Sequence, residues 1–121
     1  MADVNIPGKQ QKENVAMTIT LGILSDTHGL LRPAVLSELD GCDFILHAGD
    51  IGEPDILEQL EKIAPVHAVQ GNMDGGAWCR NLPPTEIVEV DNYLFYILHD
   101  LFQIDLDPMA AGIDVVISGH T

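Results

Sequence analysis

The chain has 121 residues, 46% of them apolar and 20% charged, which suits one globular domain with a core and excludes a disordered polymer. Nineteen acidic residues against five basic ones give a formal charge of −14, which disfavours a nucleic acid duplex as partner because the phosphate backbone would be repelled. No apolar run reaches the length of a membrane span and the polar start lacks the apolar segment of a secretory signal, so no membrane partner and a cytoplasmic location are expected.

Met1 to Ala16 is polar, contains Pro7-Gly8 and has no period; it is expected to be a disordered arm or an extension, with Met17 as a natural start and residues 17–121 as the domain. A first strand is predicted at Thr18 to Leu24, where Ile19, Leu21 and Ile23 alternate with Thr18, Thr20 and Gly22. Pro33 opens a helix in which Val35, Leu36 and Leu39 recur at helical spacing, and Asp40-Gly41 closes it. The plan then repeats: strand Phe44 to His47, then a helix from about Pro54 with Ile56, Leu57, Leu60 and Ile63 as its apolar stripe, stopped by Pro65. Val66 to Val69 is a third short strand, and this strand-helix alternation predicts an α/β fold with parallel strands and right-handed crossovers. Beyond Pro83-Pro84 the pattern changes to a hairpin, Thr85 to Val90 and Tyr93 to Leu98 around the turn Asp91-Asn92. A short helix is expected over 108–111 after Asp107, with Gly112 as its cap, before a last strand at Ile113 to Ser118.

Five of these runs end in the same chemistry. Leu24 leads into Ser25-Asp26-Thr27-His28-Gly29, Leu46 into His47-Ala48-Gly49-Asp50, Val69 into Gln70-Gly71-Asn72-Met73-Asp74, Leu98 into His99-Asp100, and Ile117 into Ser118-Gly119-His120. An open α/β sheet gathers its ligands at the carboxyl ends of its strands, and Asp, Asn and His there supply the oxygen and imidazole donors of a metal site. Taken singly, each is as well read as a turn former. His47 and His67 lie inside strands and read as structural; Cys42 and Cys79, not closely spaced, read as reduced packing residues; Trp78 reads as a loop anchor. Arg32 and Arg80 alone could offer a guanidinium to phosphate, and Arg80 follows the Asn72 loop.

The order Asp26-x-His28, Gly49-Asp50, Gly71-Asn72, His99, Gly119-His120 resembles the calcineurin-like metallophosphoesterases, in particular their small bacterial and archaeal phosphodiesterase branch, over Met17 to Thr121. The resemblance implies a metallophosphoesterase-type α/β sandwich holding two divalent metals bridged by Asp50. The first metal would take Asp26, His28 and Asp50; the second would take Asp50, Asn72, His99 and His120. Mixed oxygen and imidazole ligation without thiolate suits manganese first, with nickel, iron or zinc as alternatives. The implied function is hydrolysis of small phosphate esters, most simply diesters, by a water that two metals activate, with Asp50, Asn72 and Asp74 as the catalytic set. Met73 stands where larger phosphatases of the superfamily carry a histidine, which implies either a leaving group that departs readily or another acid, with Asp74 or a metal-bound water as candidates.

Two departures shape further expectations. His99 is followed by Asp100 where the family pattern has glycine, which places a carboxylate either behind a metal-bound imidazole or in a solvated loop. The family motif continues past Thr121 with a second histidine and further strands, so the sequence is read as a domain incomplete at its C-terminus, its first metal site one ligand short and its open sheet edge available for a homodimer. The alternative function is a protein-binding scaffold of the same fold, as in the retromer subunit. A phosphoacceptor receiver domain would have no use for His28, His99 and His120.

Overall fold

The computed structural model describes the backbone of residues 2–7 and all of residues 18–120. Among the described residues seven strands and two α-helices follow one another: β1 (Ala2–Pro7), β2 (Thr18–Leu24), α1 (Pro33–Leu39), β3 (Phe44–His47), α2 (Pro54–Glu61), β4 (Val66–Ala68), β5 (Thr85–Val90), β6 (Tyr93–Leu98) and β7 (Val115–Ser118). They form two sheets, β1-β2-β3-β4 and β5-β6-β7. Strands β2, β3 and β4 are parallel, in the register Ile23↔Leu46 and Leu46↔His67, and α1 and α2 are their crossovers. In the second sheet β5 and β6 form the hairpin and β7 adds parallel to β6, with Ile97 opposite Ile117.

Alternation along the strands divides the interior into two layers. Leu21, Leu46 and Val69 point from the first sheet to Val88, Val90, Phe95, Ile97 and Ile117 of the second, forming the core between sheets. The intervening Leu24, Ile45 and Ala68 point the other way, to Leu39 of α1 and Ile56 and Leu60 of α2. The order is thus helices, first sheet, second sheet, the expected α/β sandwich. Both helices begin at a proline, whose fixed φ suits the first turn and whose missing N–H would be unpaired there anyway. Among the described residues no helix is long and apolar enough to cross a membrane.

Three expectations are corrected. Ala2–Pro7, read as part of an arm, is a strand antiparallel to β2 from Ala2↔Ile23 to Pro7↔Thr18. The open edge of β2 offers a row of unpaired N–H and C=O groups, and a backbone can pair with these without any apolar period in its sequence. Met1 and residues 8–16 of the same expectation lie outside the described residues. The helix expected over 108–111 is a turn: Ala111 N–H donates to the Asp107 carbonyl at 2.9 Å, while the Asp107 carboxylate accepts from Met109 N–H at 3.1 Å. The last strand starts at Val115, because Asp114 is spent on closing its approach, its N–H donating to Leu94 O and its carboxylate accepting from Leu94 N–H. The hairpin turn falls where expected, with Asp91 and Asn92 both at positive φ (51° and 67°), the pairing that matches the twist of the two strands.

Candidate metal centre

The parallel strands deliver all six sequence-predicted ligands to one end of the sandwich. The turn after β2 carries Asp26 and His28 alongside the turn after β3 that carries Asp50; Asp26 N–H donates to Gly49 O at 2.8 Å, His28 N–H to Asp50 O at 3.0 Å and Gly29 N–H to Ile51 O at 2.8 Å. The turn after β4 brings Asn72 over Asp50, with Met73 N–H donating to Asp50 Oδ1 at 2.8 Å. The ends of β6 and β7 are tied by Gly119 N–H donating to His99 O at 3.0 Å, and His120 N–H reaches across to Asp26 Oδ2 at 3.2 Å.

Two groups of potential ligands result, each with its donor atoms within 4.8 Å of one another: Asp26, His28 and Asp50, and Asp50, His99 and His120. Asp50 belongs to both. Asp50 and His99 are buried at 3% and 5% exposure, while His28 and His120 face solvent, so the centre has a desolvated floor and an open mouth. Gly49 and Gly71 allow this convergence: a Cβ at Gly49 would stand 2.9 Å from His99 Nδ1, and one at Gly71 would collide with the Asp50 carboxylate and N–H.

The residues fit a divalent cation. His99 Nδ1 lies 2.7 Å from Ala48 O, and since a carbonyl only accepts, Nδ1 carries the hydrogen; Nε2 then points its lone pair at Asp50 Oδ2, 3.2 Å away. The Asn72 side-chain amide ends 2.9 Å from the same Nε2 and 3.2 Å from both Asp50 oxygens. Turned nitrogen-first it would donate to all three; turned oxygen-first it completes a ring of lone pairs that a cation between them would satisfy. Burial alone would raise the Asp26 carboxyl, but hydrogen bonds from Ser25 and His120 N–H, with His99 and His28 beside it, hold it below the ordinary carboxylate value. The His99 and His120 rings meet edge to face with centroids 5.1 Å apart.

Asp74, expected in the catalytic set, lies among backbone donors. Its Oδ2 accepts from Ile51 N–H at 3.2 Å and Gly71 N–H at 2.9 Å, and its Oδ1 from Gly52 N–H at 3.0 Å. Both oxygens are committed to backbone donors, so the geometry makes Asp74 a clamp between the Asp50 and Asn72 turns. Asp100 caps the short turn Leu101–Gln103 by accepting from Phe102 N–H at 3.0 Å. Its place beside a cavity of about 520 Å³ lined also by Asn72, His99, His120 and Asp105 gives that side an acidic wall.

A second cavity of about 540 Å³ opens beside Asp26 and is lined by Arg32 together with Leu30, Leu31 and Val35. Arg32, just before α1, lines the same cavity as Asp26. His47, Cys42 and Cys79 are buried, and Trp78 packs against the helix-side core, as anchors do. What no local pattern announced is a hydrogen-bonded chain running from Gly49 through His47 and Thr27 to Ile51.

Comparison with known proteins places the chain in a family. The family model described as the calcineurin-like phosphoesterase superfamily domain matches residues 19–121. A "probable metallophosphoesterase" of Methanocaldococcus jannaschii is 37% identical over 117 residues, covering 86% of this chain and 59% of that protein. One from Methanothermobacter thermautotrophicus is 36% identical over 113 residues, covering 84% and 65%. The chain therefore spans about three fifths of the length of these relatives. Among solved structures, one described as a novel archaeal phosphodiesterase superposes with a TM-score of 0.64 at 25% identity, over 84% of this chain and 72% of that one. Vps29 of Entamoeba histolytica, solved with zinc, superposes at 0.65 with 21% identity over 83% and 63%, which is a likeness of fold.

Proposed function

The chain belongs to the calcineurin-like phosphoesterase superfamily, and from that premise we propose that it is the ligand-bearing part of a metal-dependent phosphodiesterase acting on small phosphate esters. The observation that carries this reading is Asp50, buried and shared by both ligand groups, with Asn72 and His99 turned onto it. Asp26, His28 and Asp50 would hold one divalent ion, and Asp50, Asn72, His99 and His120 the other, with manganese the first choice for both. Bound there, the ions would supply Lewis-acid polarisation of the phosphoryl oxygens and a water acidified enough to attack near neutral pH.

The protein's own part is arrangement. Asp50 keeps its carboxylate between the two groups because Met73 N–H fixes Oδ1, and only a glycine at position 71 leaves space for that carboxylate. His99 is oriented by Ala48 O, and Asn72 closes the same side, next to the cavity where an ester group would lie. Arg32 stands where it could neutralise a phosphate oxygen on the Asp26 side. Phosphoester chemistry without a histidine at Met73 fits esters whose alcohol leaves readily.

A scaffold role is the second reading, favoured by the fold shared with Vps29. The six ligand positions from Asp26 to His120 each carry a competent donor, which supports the hydrolase. The test is Mn²⁺-dependent hydrolysis of bis(p-nitrophenyl) phosphate by the wild type and Asp50→Asn. Turnover should fall by about 100-fold or more in the variant; equal rates would exclude catalysis at this centre and leave the scaffold.

A further inference from the structure

His47 belongs to neither ligand group, yet it is the largest polar investment in the interior, with 0% of its surface exposed at the end of β3. Its hydrogen bonds have a single consistent direction. Gly49 N–H donates to Nδ1 at 3.1 Å, so Nδ1 is the acceptor and Nε2 carries the hydrogen. Nε2 lies 3.0 Å from Thr27 Oγ1, and the one hydroxyl hydrogen of Thr27 goes to Ile51 O at 2.9 Å. The chain therefore reads Gly49 N–H to His47, His47 to Thr27, Thr27 to Ile51 carbonyl, with every proton assigned.

The residues it joins matter more than the bonds themselves. Thr27 sits between Asp26 and His28, while Gly49 and Ile51 flank Asp50. All three of those ligands have left-handed backbones, with φ of 56°, 48° and 57°, which non-glycine residues hold only when their surroundings over-determine them. The turns are already zipped by backbone bonds; His47 adds the side-chain tie between them from below. None of the chain's hydrogen bonds goes to Asn72, His99 or His120; His99 is held by Ala48 O at Nδ1 and by Gly119 N–H at its carbonyl, and His120 N–H goes to Asp26 Oδ2.

We propose that His47, acting through Thr27, is a positioning residue for the Asp26–His28 turn, the side of the centre that the second ligand group does not share, and not for the Asn72–His99–His120 side. This rests on the metal-centre reading above. Burial pushes the His47 imidazole down to about 4, against the pull of Asp74, Asp26 and Asp50, so the neutral imidazole that the chain requires is the form present at neutral pH. A histidine that merely fills space would give both halves the same dependence on it, or none.

The test measures Mn²⁺ binding by calorimetry on the wild type, Thr27→Val, Thr27→Ser and His47→Gln, with His28→Ala and Asn72→Ala marking which binding event belongs to which half. Thr27→Val keeps the side-chain volume and removes only the hydroxyl, so folding is checked by circular dichroism in EDTA. Expected is a 10- to 100-fold, in rough terms, weaker Kd for the event lost in His28→Ala, no change in the event lost in Asn72→Ala, and recovery in Thr27→Ser. Nitrogen-15 shifts of His47 in the metal-free protein should show Nε2 protonated and Nδ1 bare. Two unchanged affinities in folded Thr27→Val, or two equally weakened ones, would overturn the proposal while leaving the centre intact. No Mn²⁺ binding by the wild type would overturn the centre itself, and this proposal with it.

Discussion

Replacing Asp74 by alanine and by asparagine separates a clamp from a proton donor. In the structure one oxygen, Oδ2, serves the N–H groups of Ile51 and Gly71, both buried, while Oδ1 serves Gly52, which is exposed. Alanine leaves all three donors unpaired. Water can reach Gly52 at little cost, whereas the two buried donors lose a charge-assisted bond worth about 1 to 2 kcal/mol each once screening at this half-buried carboxylate is allowed for. Asp74→Ala should therefore unfold about 2 to 4 kcal/mol more easily. Asparagine with its carbonyl in the Oδ2 position keeps both buried bonds and gives up the exposed one, so its cost should stay near 1 kcal/mol or below. Urea unfolding in EDTA, followed through the single tryptophan, Trp78, gives both numbers. Turnover of a diester in saturating Mn²⁺ gives the other axis: a clamp lets Asp74→Asn retain most of the wild-type rate and Asp74→Ala lose it. If asparagine proves as damaging to turnover as alanine while stability is untouched, Asp74 moves a proton and the reasoning from its three backbone bonds is wrong.

Acidification should weaken the metal-free protein through His47. Its folded value of about 4 lies below the ordinary 6.5, so its contribution is complete above pH 6.5 and is lost as pH falls toward 4, by about 2 kcal/mol at pH 5. The urea midpoint should fall further between pH 7 and pH 5 in the wild type than in His47→Gln; identical falls would refute the assignment. Gly71→Ala puts a methyl onto the Asp50 carboxylate and N–H, so both Mn²⁺ binding events should be lost together while far-ultraviolet circular dichroism stays that of the wild type. Loss of one event only would mean that Asp50 is not shared.

Elements whose signal is local were legible in the chain. The Asp91-Asn92 hairpin and the strands Thr18–Leu24 and Phe44–His47 sit where alternation and turn residues put them, because a period of two and a pair of positive-φ residues are written in adjacent positions. Ala2–Pro7 was not legible, since edge pairing recruits backbone rather than side chains. The role of Asp74 was not legible either: its partners Ile51 and Gly52 are more than twenty residues away, and nothing near Asp74 distinguishes a carboxylate facing N–H groups from one facing substrate. The Thr27–His47 link spans twenty residues in the same way.

The ligands themselves carry an ambiguity that one sequence position cannot resolve. Among the described residues six non-glycine residues have positive φ: Asp91 and Asn92 in the hairpin turn, and Asp26, His28, Asp50 and His120 in the centre. Asp, Asn and His are the residues that tolerate the left-handed region best, and they are also donors to hard and borderline metals. A turn former and a ligand are therefore the same letters: Asp91-Asn92 shows the first use, and Asp26-x-His28 is proposed for the second. What separates them is where the strand before them ends. The four in the centre follow parallel strands whose carboxyl ends a common crossover handedness brings to one side, whereas Asp91 and Asn92 join antiparallel neighbours at the opposite end of β6 from His99. The left-handed turn at each ligand reverses the chain sharply enough to leave the side chain facing the neighbouring strand end, so the backbone strain at these four positions and the convergence of their donor atoms are one feature.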